Sequence, residues 1–262
     1  MRILVFGTCY CASPTRLRLL DQWAEALQRI APTVDQLIVD SQSPEFDTSS
    51  HNFLRPFGER HICPSEPSLF AVRHRTIVSF PENLGQLERG GRDGWGRAFS
   101  QGLLCGIAGG YDYVVHVEGD MLTRLDIPKV CRTMAERRID VLGAVTPNLG
   151  WLEIGLMFLR VDFVRQSRLV ERYGWSTRTA RPYPEIVLSE LLGDDLYLQI
   201  WRGSKDDTAL LRYKIIDLHW LTKPKDPALH DVFMAGGAWP ATSFGEPVLI
   251  AQPDPGAQPN SG

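Results

Sequence analysis

Nowhere in these 262 residues does an apolar run reach the length needed to span a bilayer. The opening run, Met1 to Gly7, soon meets Cys9, Cys11, Pro14 and Arg16, so it is also too short for the hydrophobic core of a secretory signal. The expectation is a soluble, cytoplasmic protein without a transmembrane segment, at most peripheral to a membrane. A large charge of one sign is missing too. The net charge is -3 and the pI about 6.1, so no global field favours a nucleic-acid partner, and any anion must be bound locally. The five cysteines, at 9, 11, 63, 105 and 131, are odd in number and irregularly spaced. Cys9-x-Cys11 has no second Cys or His pair at zinc-finger spacing, and these residues read as reduced structural thiols. There is no internal repeat.

What is present suits a substantial core: 44% hydrophobic and 10% aromatic residues in a chain long enough for one large domain or two small ones. Residues 2–7 read as a buried strand. Residues 15–30 carry Leu17, Leu19, Leu20, Trp23, Ala26, Leu27 and Ile30 at helical spacing, with Ser13 and Pro14 marking the start. A strand at 35–40 completes a βαβ opening, which predicts parallel strands and a right-handed crossover. Residues 44–75 read as an irregular excursion with room for a short helix. Further strands are expected at 75–80, 111–117, 141–145, 153–161 and 213–218, and helices at 96–108, 126–138, 184–192 and 194–201. The tail after Pro247, rich in Pro, Gly, Gln and Asn, is expected to be disordered from about 252.

The most informative stretch is Tyr111 to Leu122, an apolar strand ending in Glu118-Gly119-Asp120. In an extended segment residues i and i+2 point to the same side, so two carboxylates there repel unless a cation or a sugar hydroxyl lies between them. Hard divalent ions prefer such oxygens and keep positions open for water and for nucleotide phosphates. The bland alternative is a strand followed by an acidic turn.

In their order along the chain, several weak motifs resemble the nucleotide-sugar glycosyltransferases of the GT-A fold, especially glycosyltransferase family 2, over about residues 2–203. The elements that carry the resemblance are Asp40-Ser41 after the second strand, Asn83-Leu84-Gly85 after the next, Glu118-Gly119-Asp120 as the acidic metal motif, and Gly193-Asp194-Asp195-Leu196 with Arg202. The metal motif departs from the family pattern by beginning with Glu, and residues 86–97 are unusually rich in Gly and Arg. The resemblance implies a GT-A-like, Rossmann-related α/β/α sandwich with a mostly parallel central sheet. It implies one catalytic domain over 1–245, with a nucleotide-sugar-binding half at 1–122 and an acceptor-side half at 123–245, followed by a tail at 246–262.

The implied activity is metal-dependent, inverting transfer of a sugar, of the hexosyl type, from a nucleotide-diphosphate donor to a hydroxyl of a glycan, lipid or protein. The implied roles are Asp40, Asn83, Gly85, Arg92 and Glu118 for the donor, Glu118, Asp120 and His219 for Mn2+ or Mg2+, and Asp195 or Asp194 as catalytic base. Asp194 could instead cap the helix expected after it. Arg89 and Arg97 join Arg92 as phosphate donors, the alternative being a solvated loop. Glu153 is an acceptor-side candidate or a plain strand residue, and His116, inside the apolar strand, reads as structural. Trp95, Trp151 and Trp220 either stack on a sugar or belong to the core. A homodimer is also expected.

Two other readings compete. A nucleotidyltransferase making activated sugars would share the layout, but Gly7-Thr8-Cys9-Tyr10 does not supply its glycine-rich, basic phosphate loop. A non-catalytic module of the same fold would bind the donor without turning it over.

Overall fold

The computed structural model of the protein describes residues 1–44, 59–72, 74–85, 91–123, 125–146, 151–178, 183–193, 196–201 and 221–222. Its first strand, β1 (Ile3–Cys9), leads into α1 (Pro14–Ile30). Ser13 starts this helix by accepting the Arg16 N–H, and Pro14, whose fixed φ suits a first turn, follows it. β2 (Asp35–Asp40), β3 (Glu59–Ile62) and β4 (Arg75–Ser79) come next, then α2 (Gly94–Gly109) and β5 (Tyr113–Val117). The chain continues through β6 (Leu122–Thr123), α3 (Ile127–Arg137), β7 (Val141–Thr146) and β8 (Trp151–Arg160). After them come α4 (Val161–Gln166), α5 (Leu169–Tyr173), α6 (Pro184–Leu192), β9 (Leu196–Trp201) and β10 (Leu221–Thr222).

Among the described residues eight strands form one sheet, in the order β3-β4-β2-β1-β5-β8-β7-β9. β8 alone runs against the others, pairing antiparallel with β5 and β7, while the remaining pairings are parallel. Both faces are covered, which is why β1 is apolar at consecutive positions rather than at alternate ones. Ile3 and Val5 enter one core with Leu20, Trp23 and Leu27 of α1 and Val130 and Met134 of α3. Leu4 and Phe6 enter the other with Phe99 and Leu103 of α2, Val164 of α4 and Leu188 of α6. The result is the expected α/β/α sandwich with a mostly parallel sheet.

Strand order fixes where a ligand can enter. From β1 the chain builds outward through β2 to β4, then α2 carries it back across the opposite face to β5 on the other side of β1. Right-handed crossovers in opposite directions put their helices on opposite faces, which opens a crevice between the carboxyl ends of β1 and β5.

Three local expectations change. Residues 196–201 form the edge strand β9 rather than a helix; parallel pairing to β7, Val141 opposite Leu196, prevails over local helical spacing. The excursion at 44–75 contains β3, whose short Glu-Arg-His-Ile run carries no clear alternation but pairs with β4. Residues 162–173, for which the sequence suggests no element, belong to the short helices α4 and α5, and Val161, expected to close a strand, opens α4 instead. The strand expected at 213–218 and the tail lie outside the described residues.

Candidate functional site

The acidic triplet sits at the crevice. β5 ends at Val117, and Glu118 to Met121 form a tight turn closed by the Met121 N–H on the Glu118 carbonyl, 2.8 Å. The same-side rule for extended residues therefore does not apply; a turn, not a strand, sets the relative directions of Glu118 and Asp120. This turn is fastened to two strands. Glu118 N–H donates to Gly155 O at 2.9 Å in β8, and Gly119 N–H donates to Thr8 O at 3.1 Å at the end of β1. A Cβ on Gly119 would lie 2.9 Å from Thr8 O and 3.2 Å from Cys9 Cβ, so the middle residue of the triplet has to be glycine for the turn to lie this close to β1. Glu118 is half-buried and Asp120 exposed.

Asp40, at the end of β2, is fully buried. Its Oδ1 accepts the Ser43 N–H at 2.9 Å and the Ser43 hydroxyl at 2.5 Å, and Ser43 Oγ in turn accepts the Cys11 N–H at 2.7 Å. Among the described residues its Oδ2 is buried without a hydrogen bond, with the Arg60 guanidinium of β3 at 3.8 Å. Arg60 also donates from Nε to Ser79 Oγ at 2.9 Å, bracing the end of β4. Burial raises the Asp40 pKa, against the lowering effect of the serine hydrogen bonds and Arg60.

Asn83 and Gly85 follow β4 on exposed backbone. Asn83 Oδ1 accepts the Gly85 N–H at 2.9 Å, and Gly85 has φ +75°, a conformation that favours glycine. Arg92 N–H donates to Leu84 O at 2.9 Å, and the exposed Arg92 guanidinium meets Glu82 at 3.3 Å. Arg97 turns inward instead of toward a phosphate. It is fully buried, lies over the Phe80 ring at 4.0 Å and donates to Glu82 O at 2.5 Å and Ser65 O at 3.3 Å. Burial lowers its pKa to about 10.

His116 is structural, as the sequence reading had it. It is buried with Nδ1 2.7 Å from Ile154 O, a carbonyl that can only accept, so Nδ1 carries the proton, and Nε2 lies 3.3 Å from the Thr8 hydroxyl. Trp95 stacks on Phe99 at 4.8 Å, within the core rather than on an open loop. All five cysteines are free thiols. Asp194, Asp195, His219, Arg89 and Trp220 lie outside the described residues, and the side chains of Glu153 and Trp151 do as well.

Glu118 and Asp120 supply two carboxylates on one turn, the oxygen type that hard cations prefer, while the described residues hold no group of three or more His, Cys, Asp or Glu that could bind a metal. Mg2+ is commonly held by one or two carboxylates together with substrate phosphates rather than by an all-protein cage. One residue pairing bears on a third ligand. β10 lies antiparallel to β6, Leu221 opposite Thr123, which brings the chain two residues past His219 beside the strand that begins two residues past Asp120. A separate cleft of about 460 Å³ opens at the far, amino-terminal edge of the sheet, lined by Arg2, Asp35 and Arg132 among others. Arg2 there is engaged with Gly109 O at 2.6 Å and the Tyr111 ring at 4.5 Å.

No family model and no curated protein sequence matches the chain. Among solved structures it is similar to an active-site mutant of LgtC, at 11% identity and TM-score 0.49 over 80% of this chain and 81% of that one. It is similar to a glycosyltransferase involved in glycosylation of the major capsid of PBCV-1, at 8% identity and TM-score 0.45 over 78% and 83%. A third is a candidate glucose-1-phosphate thymidylyltransferase from Bacillus anthracis, at 11% identity and TM-score 0.49 over 90% and 94%. These are proteins of the two enzyme classes weighed from the sequence. At such identities and scores they say nothing about the chemistry of this chain.

Proposed function

We propose that the protein is a metal-dependent glycosyltransferase that binds a nucleotide-diphosphate sugar in the crevice between β1 and β5 and passes the sugar, with inversion, to a hydroxyl acceptor. The observation that carries this reading is the seating of Glu118-Gly119-Asp120 at the switch point, bonded to the end of β1 where ligands of open α/β sheets enter. Asp120 and Glu118 would hold Mn2+ or Mg2+, with His219 as a third ligand supported by the β6–β10 pairing. When bound, the ion supplies Lewis-acid stabilisation to the departing diphosphate.

The protein's own groups do the rest. Asn83, Gly85 and the exposed Arg92 border the donor side, where Arg92 offers charge-assisted bonds to phosphate oxygens. Asp40 shapes the nucleoside end through its buried carboxylate and Arg60. Asp195, or Asp194 beside it, accepts the proton of the acceptor hydroxyl as that oxygen attacks the anomeric carbon and the diphosphate leaves from the opposite face. A glycan, lipid or protein hydroxyl is the acceptor class, and a hexose the donor sugar. Among the described residues no helix is long and apolar enough to cross a membrane.

A thermal-shift screen of UDP-, GDP-, CMP- and dTDP-sugars with and without Mn2+ tests the reading. A ligand bound at a hundred times its Kd adds about 2.7 kcal/mol to native stability, a shift that is easily read. One nucleotide class should raise the melting temperature in a metal-dependent way, with the effect lost in Asp120→Ala and retained in Asp195→Asn, which loses turnover instead. If no donor stabilises the protein, the transferase reading fails. Release of pyrophosphate from a nucleoside triphosphate and a sugar 1-phosphate would instead establish nucleotidyl transfer.

A further inference from the structure

Asp93 opens α2 and is almost entirely buried, yet it carries a carboxylate. Its Oδ1 accepts the Gly96 N–H at 2.7 Å as a helix cap. Its Oδ2 faces the second half of the chain, where it accepts the Tyr173 hydroxyl at 2.8 Å from the end of α5 and pairs with Arg178 Nε at 2.9 Å. The Arg178 and Asp93 side chains are 8% and 2% exposed, and the guanidinium lies over the Tyr173 ring at 4.7 Å. Burial and the adjacent Asp93 push the Tyr173 phenol up, so it stays protonated and donating. Position 96 has no room for a side chain; a Cβ would lie 2.4 Å from both Asp93 Oδ2 and Tyr173 Cε1. These groups are therefore seated directly on the first turn of α2.

This arrangement is expensive to bury and gains little stability over an apolar packing of the same volume; what a buried polar network can supply is one fixed geometry. The geometry it fixes adjoins the donor side. Asp93 follows Arg92, whose N–H is bonded to Leu84 O at 2.9 Å, and a Cβ on Gly94 would lie 2.8 Å from Gly85 O. Arg97, one turn along α2, holds Glu82 O. The start of α2 and the Asn83–Gly85 turn thus form one packed unit, and the contact of Asp93 with Tyr173 and Arg178 joins that unit to residues 80 and more positions later.

We infer that Tyr173 and Arg178 are positioning residues: through Asp93 they hold the start of α2 and the Asn83–Gly85 turn in the geometry that nucleotide-sugar binding requires, without touching the donor. The link to donor binding rests on the proposed function, whereas the coupling between the two halves does not.

Two readouts on the full chain separate them, with Tyr173→Phe, which deletes one hydroxyl, and Arg178→Lys, which keeps the charge, as the variants. Amide hydrogen exchange reports the coupling, because the Arg92 N–H is itself hydrogen-bonded inside the unit. Its exchange should quicken roughly tenfold in Tyr173→Phe, as expected for losing a hydrogen bond to a charged group, while amides of β1 and β5 stay as in the wild type. Calorimetry with the nucleotide sugar found in the screen should show a Kd about tenfold weaker, and Arg178→Lys should retain more affinity than Arg178→Met. Faster exchange confined to residues 173–178, with the Arg92 amide unchanged, overturns the coupling. A loosened Arg92 amide with unaltered donor Kd overturns the positioning role. If the wild type binds no donor but the Arg92 amide still loosens, the proposed function is refuted and the coupling stands.

Discussion

Gly119→Ala isolates what holds the acidic turn against β1. The φ of Gly119 does not fall in the left-handed region, so alanine meets no backbone strain there, and the whole effect comes from the added methyl group. That methyl would lie 2.9 Å from Thr8 O, 3.1 Å from Leu20 Cδ1 and 3.2 Å from Cys9 Cβ. Leu20 can turn aside, but a backbone carbonyl in the middle of a paired strand edge cannot, so the turn must lift by a few tenths of an ångström. The lift stretches the Gly119–Thr8 hydrogen bond, 3.1 Å in the wild type. Overpacking of this kind costs about 1–3 kcal/mol, partly offset by about 0.4–1 kcal/mol from the stiffer unfolded chain. A net loss of about 1–2 kcal/mol corresponds to roughly 2–8 °C in melting temperature for a chain of this size. Differential scanning calorimetry reads the loss, and the metal-dependent donor shift should shrink with it. A variant as stable as the wild type would show that the turn is not pressed on β1, and the steric account of the central glycine would be wrong.

Asp40 makes a pH prediction. Its folded pKa is raised, so the native state holds a proton that the unfolded chain has already released, and the stability contributed by this group falls as pH rises from the ordinary aspartate value of about 3.9 through the raised native value. Denaturant titrations of wild type and Asp40→Asn across that range should differ by a term that grows against the wild type with rising pH; a constant difference would contradict the burial argument. Arg97→Ala should cost about 2–4 kcal/mol in urea unfolding, since it empties a packed site over Phe80 and strands the Glu82 and Ser65 carbonyls, and a loss below about 0.5 kcal/mol would mean that Arg97 is not buried as described. Arg138 ends α3 with φ 56°, so Arg138→Gly should raise stability by about 0.5–1 kcal/mol in the same assay, and any destabilisation would contradict the left-handed cap.

The sequence by itself determined the alternation of strand and helix through the first half of the chain. β1, α1, β2, β4, α2 and β5 fall close to the residues expected from apolar periodicity, because each buries one stripe or two faces in a way that local spacing encodes. It also placed Asp40, Asn83 and Glu118–Asp120 at strand ends, since polar residues after an apolar run mark where a buried strand surfaces. Only the tertiary structure decided the rest. β9 became a strand because β7 offered it an edge, a partner 55 positions away at Val141 that no local window contains. Arg92 and Arg97 are the same residue type five positions apart, yet one is exposed and the other fully buried, because Phe80, Ser65 and the Glu82 carbonyl converge on the second alone. The turn that carries Glu118 and Asp120, and the meeting of Asp93 with Tyr173 and Arg178, likewise depend on long-range contacts. Periodicity records which side of an element is wet; which distant group waits there is set by how the elements pack.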